Sequence, residues 1–427
     1  MAQLSDDCFA GDDALVPAQA ALDLILPRLT RVTDSLSLPL VDCLDRILAE
    51  DVVAAIDVPG GDNSAVDGYA VYFADLDPAA ETRLPIGGRA AAGHPLGRAQ
   101  RRGEAVRIFT GAPMPPGEAG GAGPDTVMMQ EDCRVIGDHV LIRPGIRRGA
   151  NRRKAGEDVA AASRALAAGS RLRPQDIGLA AALGLTRLPV VGRLEVALFS
   201  TGDELAEPGA ALAPGAIYDS NRFTLAALLA QLGCAVTDLG ILPDRPEAIR
   251  QSLAEAARDH ALLLTSGGVS TGEEDHVKAA VAALGKLHVW RLAIKPGRPI
   301  ALGQVDAAGR AVPFIGLPGN PVAVMVTFLR IARPIILRLM GADGREPLHF
   351  PVRAAFDYKK KASRREWVRV RLEPGADGVP VAHKYPRDGA GILRSMVESD
   401  GLVELPEDLV QLAAGSMVDF LPFSEVR

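Results

Sequence analysis

Apolar residues recur at helical spacing from Pro17 to Leu29, and a second apolar pattern runs from Ser35 to Asp57 until Pro59, Gly60 and Gly61 break it. Together these predict a small helical unit. From about Val53 to Arg148 the texture changes to short apolar runs cut by Gly and Pro, most densely over Gly111 to Asp125, which predicts a β-rich region with long loops. A charged stretch from Gly145 to Asp158 then leads back to helix-like sequence at Leu166 to Ala168 and Pro174 to Leu183, closed by Gly184. The β-rich lobe therefore reads as an insertion, residues 53–148, in a helical domain made of 15–52 and 149–190.

From Leu194 onward strands and helices alternate. Apolar strands are predicted at Leu194–Ser200, Cys234–Leu242, Ala261–Ser266, His288–Ile294 and Pro313–Gly316. Helices are predicted at Asp219–Gln231, Glu247–Arg258 and His276–Leu284, with a long one after Asn320. Such alternation implies an open, mostly parallel α/β sheet covered on both faces, here residues 191–342. Beyond Pro347, four strand-like runs predict a small C-terminal β domain, residues 343–427. The fold class is thus multidomain α/β and β.

Length and composition agree. At 427 residues the chain exceeds what one core supports, so about two to four domains are expected. A hydrophobic share of 48% with 23% charged residues fits folded protein, not disorder. The net charge of -6 argues against nucleic-acid binding, which needs a basic surface field. The first sixteen residues carry neither a basic start nor a long apolar run, so a cytoplasmic protein without signal peptide is expected. Arg330 and Arg333 interrupt the apolar stretch Asn320 to Met340, which favours a buried helix over a membrane span. Cys8, Cys43, Cys133 and Cys234 are scattered without a CxxC pair, fitting neither a zinc site nor a disulfide framework.

The chemistry concentrates in the alternating region, where polar, Gly-rich segments follow strands: Ser200–Leu205, Thr265–Asp275, Ile294–Pro299 and Gly316–Pro321. Ligands of open α/β sheets bind there, because loops and helix N-termini converge beyond the strands' carboxyl ends. Gly267 and Gly268 let backbone donors approach an oxyanion, with Ser266, Ser270 and Thr271 as hydroxyl donors; a turn serving only the fold is the alternative. Lys295 and Arg298 flank Pro296 and Gly297, presenting two cations on a stiff turn suited to a compact dianion or phosphate. Asp203, Glu204, Asp219 and Asp275 put carboxylates in the same loops, as a Mg²⁺ bridging to phosphate requires. Asp219 equally fits a helix N-cap, and Glu204 a solvated first-turn acid. No Walker motif, GxGxxG after the first strand, or HExxH is present, so kinase and dehydrogenase readings lose ground.

These segments resemble the molybdopterin molybdenumtransferase family, MoeA, which is homologous to the gephyrin E domain. The resemblance runs from about Val16 to the end, through Asp62–Val71, Arg107–Gly117, Thr201–Leu205, Ile217–Arg222, Ser266–Asp275, Lys295–Pro299, Gly316–Pro321 and Gly391–Glu407. It implies an elongated four-domain homodimer with its active site between subunits, a sheet domain like that of the adenylylating enzyme MogA, and insertion of molybdate into adenylylated molybdopterin with release of AMP and a need for Mg²⁺. It also implies partners: the adenylyltransferase upstream, and a molybdoenzyme or cofactor-delivery protein downstream. By motif, Asp67 and Thr110 come from the inserted lobe and face the partner's pocket, as catalytic residues with Glu204 and Asp275. Those two acids also hold the metal. Asp219, Gly267, Gly268, Ser270, Lys295, Arg298, Pro318 and Asn320 bind substrate, with Arg364 and Ser395 supplied by the last domain. Departures are local: Val58-Pro59-Gly60-Gly61 and Val66 differ from the usual residues, Ala323 stands where some relatives carry Ser, and Arg298 where many carry Lys. Two rivals are a molybdopterin adenylyltransferase, which gives no reason for the other domains, and a gephyrin-like non-catalytic scaffold, which gives none for the acidic loops.

Overall fold

The computed structural model describes residues 15–268, 276–344 and 346–426. Elements of the central α/β domain are numbered by themselves: β1 Glu195–Thr201, α1 Asn221–Gln231, β2 Ala235–Leu242, α2 Pro246–Asp259, β3 Leu262–Ser266, α3 His276–Leu284, β4 Gly285–Arg291, β5 Pro299–Ala307, β6 Arg310–Leu317 and α4 Pro321–Thr327. Their sheet has the order β2-β1-β3-β6-β5-β4. The first four strands are parallel, whereas β5 runs antiparallel to both β6 and β4. β5 adds a strand that the sequence reading did not pick out. Its hairpin to β6 turns through Ala308 and Gly309, both at positive φ, the backbone that matches a two-residue turn to the strand twist.

Burial on both faces explains the nearly continuous apolar character of β1. Val196 and Leu198 enter one core with Leu225 and Leu229 of α1 and Val322 and Val324 of α4. Ala197 and Phe199 enter the other with Ile249 and Leu253 of α2 and Val277 and Val281 of α3. The helix Ala18–Ile25 joins the first core through Ala21, Leu22 and Ile25.

The segment Ser35 to Asp57, expected to be helical, is instead extended. Ser35–Pro39 pairs antiparallel with Arg187–Val191, Val52–Val53 with Arg164–Leu166, and Asn63–Ser64 with Arg152–Arg153. Only Pro174–Ala182 in the returning half is an α-helix. The chain thus leaves and re-enters through short antiparallel pairs, and the inserted lobe sits between them. Its six-stranded sheet has the order Thr126–Met129, Gly68–Val71, Ala105–Ile108, Thr82–Ala90, His139–Ile142, Cys133–Ile136. Gly68 is required there, since a Cβ would lie 1.8 Å from the Met128 carbonyl oxygen.

In the C-terminal domain Arg365–Glu373 pairs with both Val381–Lys384 and Gly401–Leu405, while Phe350–Ala354 and Met417–Pro422 complete the circuit. Five strands therefore close on themselves, leaving no unpaired edge among them. The two-residue strand Ile294–Lys295 of the preceding domain adds in parallel to Arg365–Glu366. A second tie is Glu404, which accepts from Trp367 Nε1 at 2.8 Å, pairs with Arg365 at 2.7 Å, and faces Arg330 of the helical segment after α4 at 3.3 Å. Among the described residues no helix is long and apolar enough to cross a membrane.

Burial alone would raise the pKa of Glu404, but Arg330, the Trp367 N–H and Arg365 outweigh it and hold the carboxyl below its ordinary 4.5. A depressed carboxylate adds stability that is complete above the unfolded value and is lost as pH falls through the folded one. The thermal midpoint is expected to drop below about pH 4.5 less steeply in Glu404→Gln than in the parent. At neutral pH that variant should be less stable by about 2 kcal/mol, the scale of a hydrogen bond to a charged group, as read by denaturant titration.

Candidate functional site

The loops that follow β1, β3 and β6, together with the turn before β5, converge on one side of a cavity of about 810 Å³. Thr201, Gly202 and Glu204 come from the first loop and Gly267 and Gly268 from the second. Lys295 to Pro299 come from the turn, and Pro318, Gly319 and Asn320 from the last loop. Close packing of backbone fixes their mutual position. Gly267 and Gly268 lie at φ 90° and 64°, and a Cβ on Gly268 would come within 2.6 Å of Val277 and 2.8 Å of the Thr201 hydroxyl. Gly297, at φ 89°, lets the cationic turn rest on α4, where a Cβ would lie 2.4 Å from Thr327 Oγ1. Asn221 Nδ2 donates to Ser266 Oγ at 2.9 Å and to the Gly319 carbonyl at 2.6 Å, linking the loops after β3 and β6.

The opposite wall belongs to the C-terminal domain: Tyr358, Arg364, Glu366, Trp367, Arg369, Lys384 and Asp388 line the same cavity. Glu366, only 1% exposed, is the hub of that wall. One of its oxygens accepts from Arg364 Nε at 2.9 Å and from the neighbouring guanidinium nitrogen. The other accepts from the Tyr358 hydroxyl at 2.8 Å and lies 3.4 Å from Lys295 Nζ. Lys295 also donates to the Tyr358 hydroxyl at 3.2 Å. Burial, with the bond to Glu366, pushes the Tyr358 phenol up, so it remains protonated. Lys384 donates to Asp388 at 2.7 Å and thereby holds that carboxyl below its usual range. Arg369 donates to the Gly389 carbonyl at 2.7 Å.

Five cations line the cavity, Lys295, Arg298, Arg364, Arg369 and Lys384, against the acids Glu204, Asp244, Glu366 and Asp388. Glu366 and Asp388 are already engaged with cations of the wall. Arg298 has no ion-pair partner among the described residues and is turned to the cavity. Such a lining suits a multiply charged oxyanion. Among the described residues no group of three or more His, Cys, Asp or Glu is arranged to hold a metal ion.

Of the residues picked from sequence, Glu204, Gly267, Gly268, Lys295, Arg298, Pro318, Asn320 and Arg364 are brought together here. Ser270 and Asp275 lie outside the described residues. Asp219 is elsewhere: it is 2% exposed, accepts from Arg222 Nε at 3.0 Å and from the Arg222 backbone N–H at 3.2 Å, and does not line the cavity. Its geometry fits the helix-start alternative, since it meets the first turn of α1 and a guanidinium that Glu207 and Asp238 also engage. Ser395 is likewise fully buried, its hydroxyl donating to the Ile392 carbonyl and its own carbonyl accepting from Ser399 Oγ at 2.6 Å. In this structure both therefore act as internal supports, and neither lines the cavity. Asp67 and Thr110 sit in the inserted lobe, away from this cavity. There Asp67 accepts from the Thr110 N–H at 2.8 Å and its hydroxyl at 2.9 Å, which together hold the carboxyl below its usual range.

Sequence reasoning missed Tyr358, Glu366, Arg369, Lys384 and Asp388. One signal was present: Glu366 and Trp367 open an alternating apolar strand, and an acid at a buried strand position requires a cationic partner.

Comparison with known proteins gives a single picture. Residues 16–184 match the MoeA N-terminal region (domain I and II), 197–338 the probable molybdopterin binding domain, and 351–423 the MoeA C-terminal region (domain IV). A molybdopterin molybdenumtransferase of Haemophilus influenzae is 36% identical over 404 residues, spanning 94% of this chain and 97% of that one. One from a Nostoc species is 34% identical, spanning 92% and 90%. The crystal structure of a molybdopterin biosynthesis MoeA protein from Pyrococcus horikoshii superposes with a TM-score of 0.80 at 27% identity, covering 96% of this chain and all of that one. Three matched regions in the same order and relatives aligned along nearly their whole length leave one assignment: this chain belongs to the molybdopterin molybdenumtransferase family.

Proposed function

We propose that this protein is a molybdenum insertase, which transfers molybdate into the dithiolene of adenylylated molybdopterin and releases AMP. The observation that carries the reading is the convergence of five cations from two domains on one cavity. Molybdate is a tetrahedral dianion and the adenylate a phosphoanhydride, so cations and N–H or hydroxyl donors are the groups needed. The dithiolene sulfurs belong to the pterin, and the chain needs no soft ligand cluster of its own. Lys295, Arg298 and Arg364 take the oxyanion. Gly267 and Gly268 leave backbone donors open to the phosphates. Water cleaves the anhydride bond, its oxygen ending on a phosphate, to give AMP and the pterin phosphate.

Mg²⁺ fits this lining as a partly hydrated ion. Glu204 is exposed in the cavity and supplies a hard oxygen, and Mg²⁺ commonly uses one or two carboxylates with substrate phosphates and waters. Bound there, it would neutralise phosphate charge; Asp275, proposed from sequence as its second ligand, lies outside the described residues. The working form is proposed to be a cytoplasmic homodimer in which Asp67 and Thr110 complete the partner's cavity. It would receive substrate from the adenylyltransferase and pass cofactor to a molybdoenzyme or delivery protein.

Purified protein mixed with adenylylated molybdopterin and Mg²⁺ is expected to release AMP faster when molybdate is added, and to activate a cofactor-free molybdoenzyme. Tight pterin binding with neither effect would instead indicate a scaffold. Lys295→Ala should reduce insertion about 30-fold or more, the loss of one charge-assisted contact of about 2 kcal/mol, measured as kcat/KM for molybdate. The composite site makes a further prediction for mixed subunits. Asp67→Asn and Lys295→Ala homodimers should each be nearly inactive. After subunit exchange about a quarter of parental activity should return, because half the dimers are mixed and each of those has one intact site of two. No recovery on confirmed exchange would place both residues in one subunit's site.

A further inference from the structure

The wall opposite the cationic turn contains a group with no assigned role in the reaction. Glu366 sits on a strand whose neighbours Trp367, Val368 and Val370 are buried, and its carboxylate is 1% exposed. A buried carboxylate is costly unless its oxygens are satisfied. Here both are, and by a divided set of partners. One oxygen holds Arg364 of its own domain through two guanidinium nitrogens, while the other serves the Tyr358 hydroxyl and Lys295 of the α/β domain. The backbone repeats the tie, since Lys295 and Glu366 are directly paired across the parallel bridge between the domains.

Two cations that must grip one small anion repel each other and would turn outward into solvent if left alone. Lys295 in particular is half-exposed on a four-carbon stem. Glu366 and the Tyr358 hydroxyl draw it back to the side where Arg364 lies. Tyr358 adds its ring face, with Lys295 Nζ 5.7 Å and Lys384 Nζ 5.9 Å from the centroid.

We propose that Glu366, acting with the Tyr358 hydroxyl, is a positioning residue that sets Lys295 and Arg364 at the spacing needed to bind the tetrahedral oxyanion. The inference rests on the insertase reading for the identity of that oxyanion, although the geometry concerns oxyanion binding alone. It predicts an effect opposite in sign to simple electrostatics. Removing a negative charge beside a dianion site should tighten binding if Glu366 were only a counter-charge. In Glu366→Gln, one amide oxygen can still accept from Arg364, but the amide NH₂ then faces Lys295 and cannot hold it. Binding should weaken.

The test uses the full-length protein and inorganic molybdate, followed by equilibrium dialysis at fixed ionic strength. Glu366→Gln is expected to weaken molybdate binding at least tenfold, about 1.4 kcal/mol. Tyr358→Phe, which keeps the ring and removes only the hydroxyl, should fold and weaken binding about threefold. In the insertion assay both variants should raise KM for molybdate and change kcat less than twofold. Unchanged or tighter binding in folded Glu366→Gln, with parental binding in Tyr358→Phe, would overturn the proposal. So would an absence of saturable molybdate binding by the parent protein. Should Glu366→Gln fail to fold, Tyr358→Phe decides alone. The dialysis reads binding without turnover, so a parent that binds molybdate but releases no AMP would defeat the insertase reading and leave the positioning role standing.

Discussion

Like charges gathered around one cavity repel, and the architecture of this chain is organised by the need to hold them there. Lys295, Arg298, Arg364, Arg369 and Lys384 repel one another across the cavity unless acids stand among them. Glu366 and Asp388 meet that need from the C-terminal domain, and each does so by accepting from cations at hydrogen-bond distance. Glu366 leaves room for an anion because it is held back in the wall, whereas Asp388 is exposed beside Lys384. A carboxylate buried at 1% exposure orients its cations without presenting itself to the ligand. Arg298, with no ion-pair partner among the described residues, can then offer its charge to an anion.

This arrangement also explains why two domains must be docked for one site to exist. Neither the four loops of the α/β sheet nor the five closed strands of the last domain would form the cavity alone. The bridge of Ile294–Lys295 to Arg365–Glu366 joins them at the site, and Glu404 with Arg330 joins them behind it. Glu404 is therefore remote from the oxyanion yet supports its geometry, because Arg365 lies between the two hubs and pairs with Glu404 at 2.7 Å.

The α/β half of the site was legible from sequence because its signals are local. Gly267, Gly268 and Gly297 mark backbone that no side chain could share, and Lys295 and Arg298 stand beside such a glycine in the same turn. The other half was hidden because it depends on strands that pair over long sequence distances: Tyr358, Arg369 and Lys384 share no motif with one another. Asp219 shows the limit from the opposite direction. An acid before a helix reads the same whether it faces a ligand or an arginine, and the Arg222 guanidinium against Asp219 is visible only in the structure. The helical reading of Ser35 to Asp57 failed for a related reason. Ser35-Leu36-Ser37-Leu38 alternates with period two, and its extended state is secured by Arg187–Val191, some 150 residues away in sequence. In β5 the run from Ile300 to Val305 is buried throughout but is interrupted by Gly303 and the polar Gln304 and has only Pro299 as a turn residue at its start, so the hairpin with β6 emerges only from the pairing itself.

Asp67 is the residue whose local chemistry is least explained by its own subunit. Two donors from Thr110 fix its carboxylate and favour ionisation, an arrangement found where a charge must keep one orientation. The lobe's sheet holds the pair in register, since Gly68 lies opposite Ile108 and the two residues follow from the adjoining strand ends. Thr110 is exposed, and no residue of the lobe lines the 810 Å³ cavity. A fixed acid at the rim of a lobe carried away from the rest of the chain by short antiparallel pairs is poorly suited to serve its own cavity. In the proposed homodimer the lobe would instead reach another copy's cavity, in a direction set by where the insertion leaves and re-enters the chain.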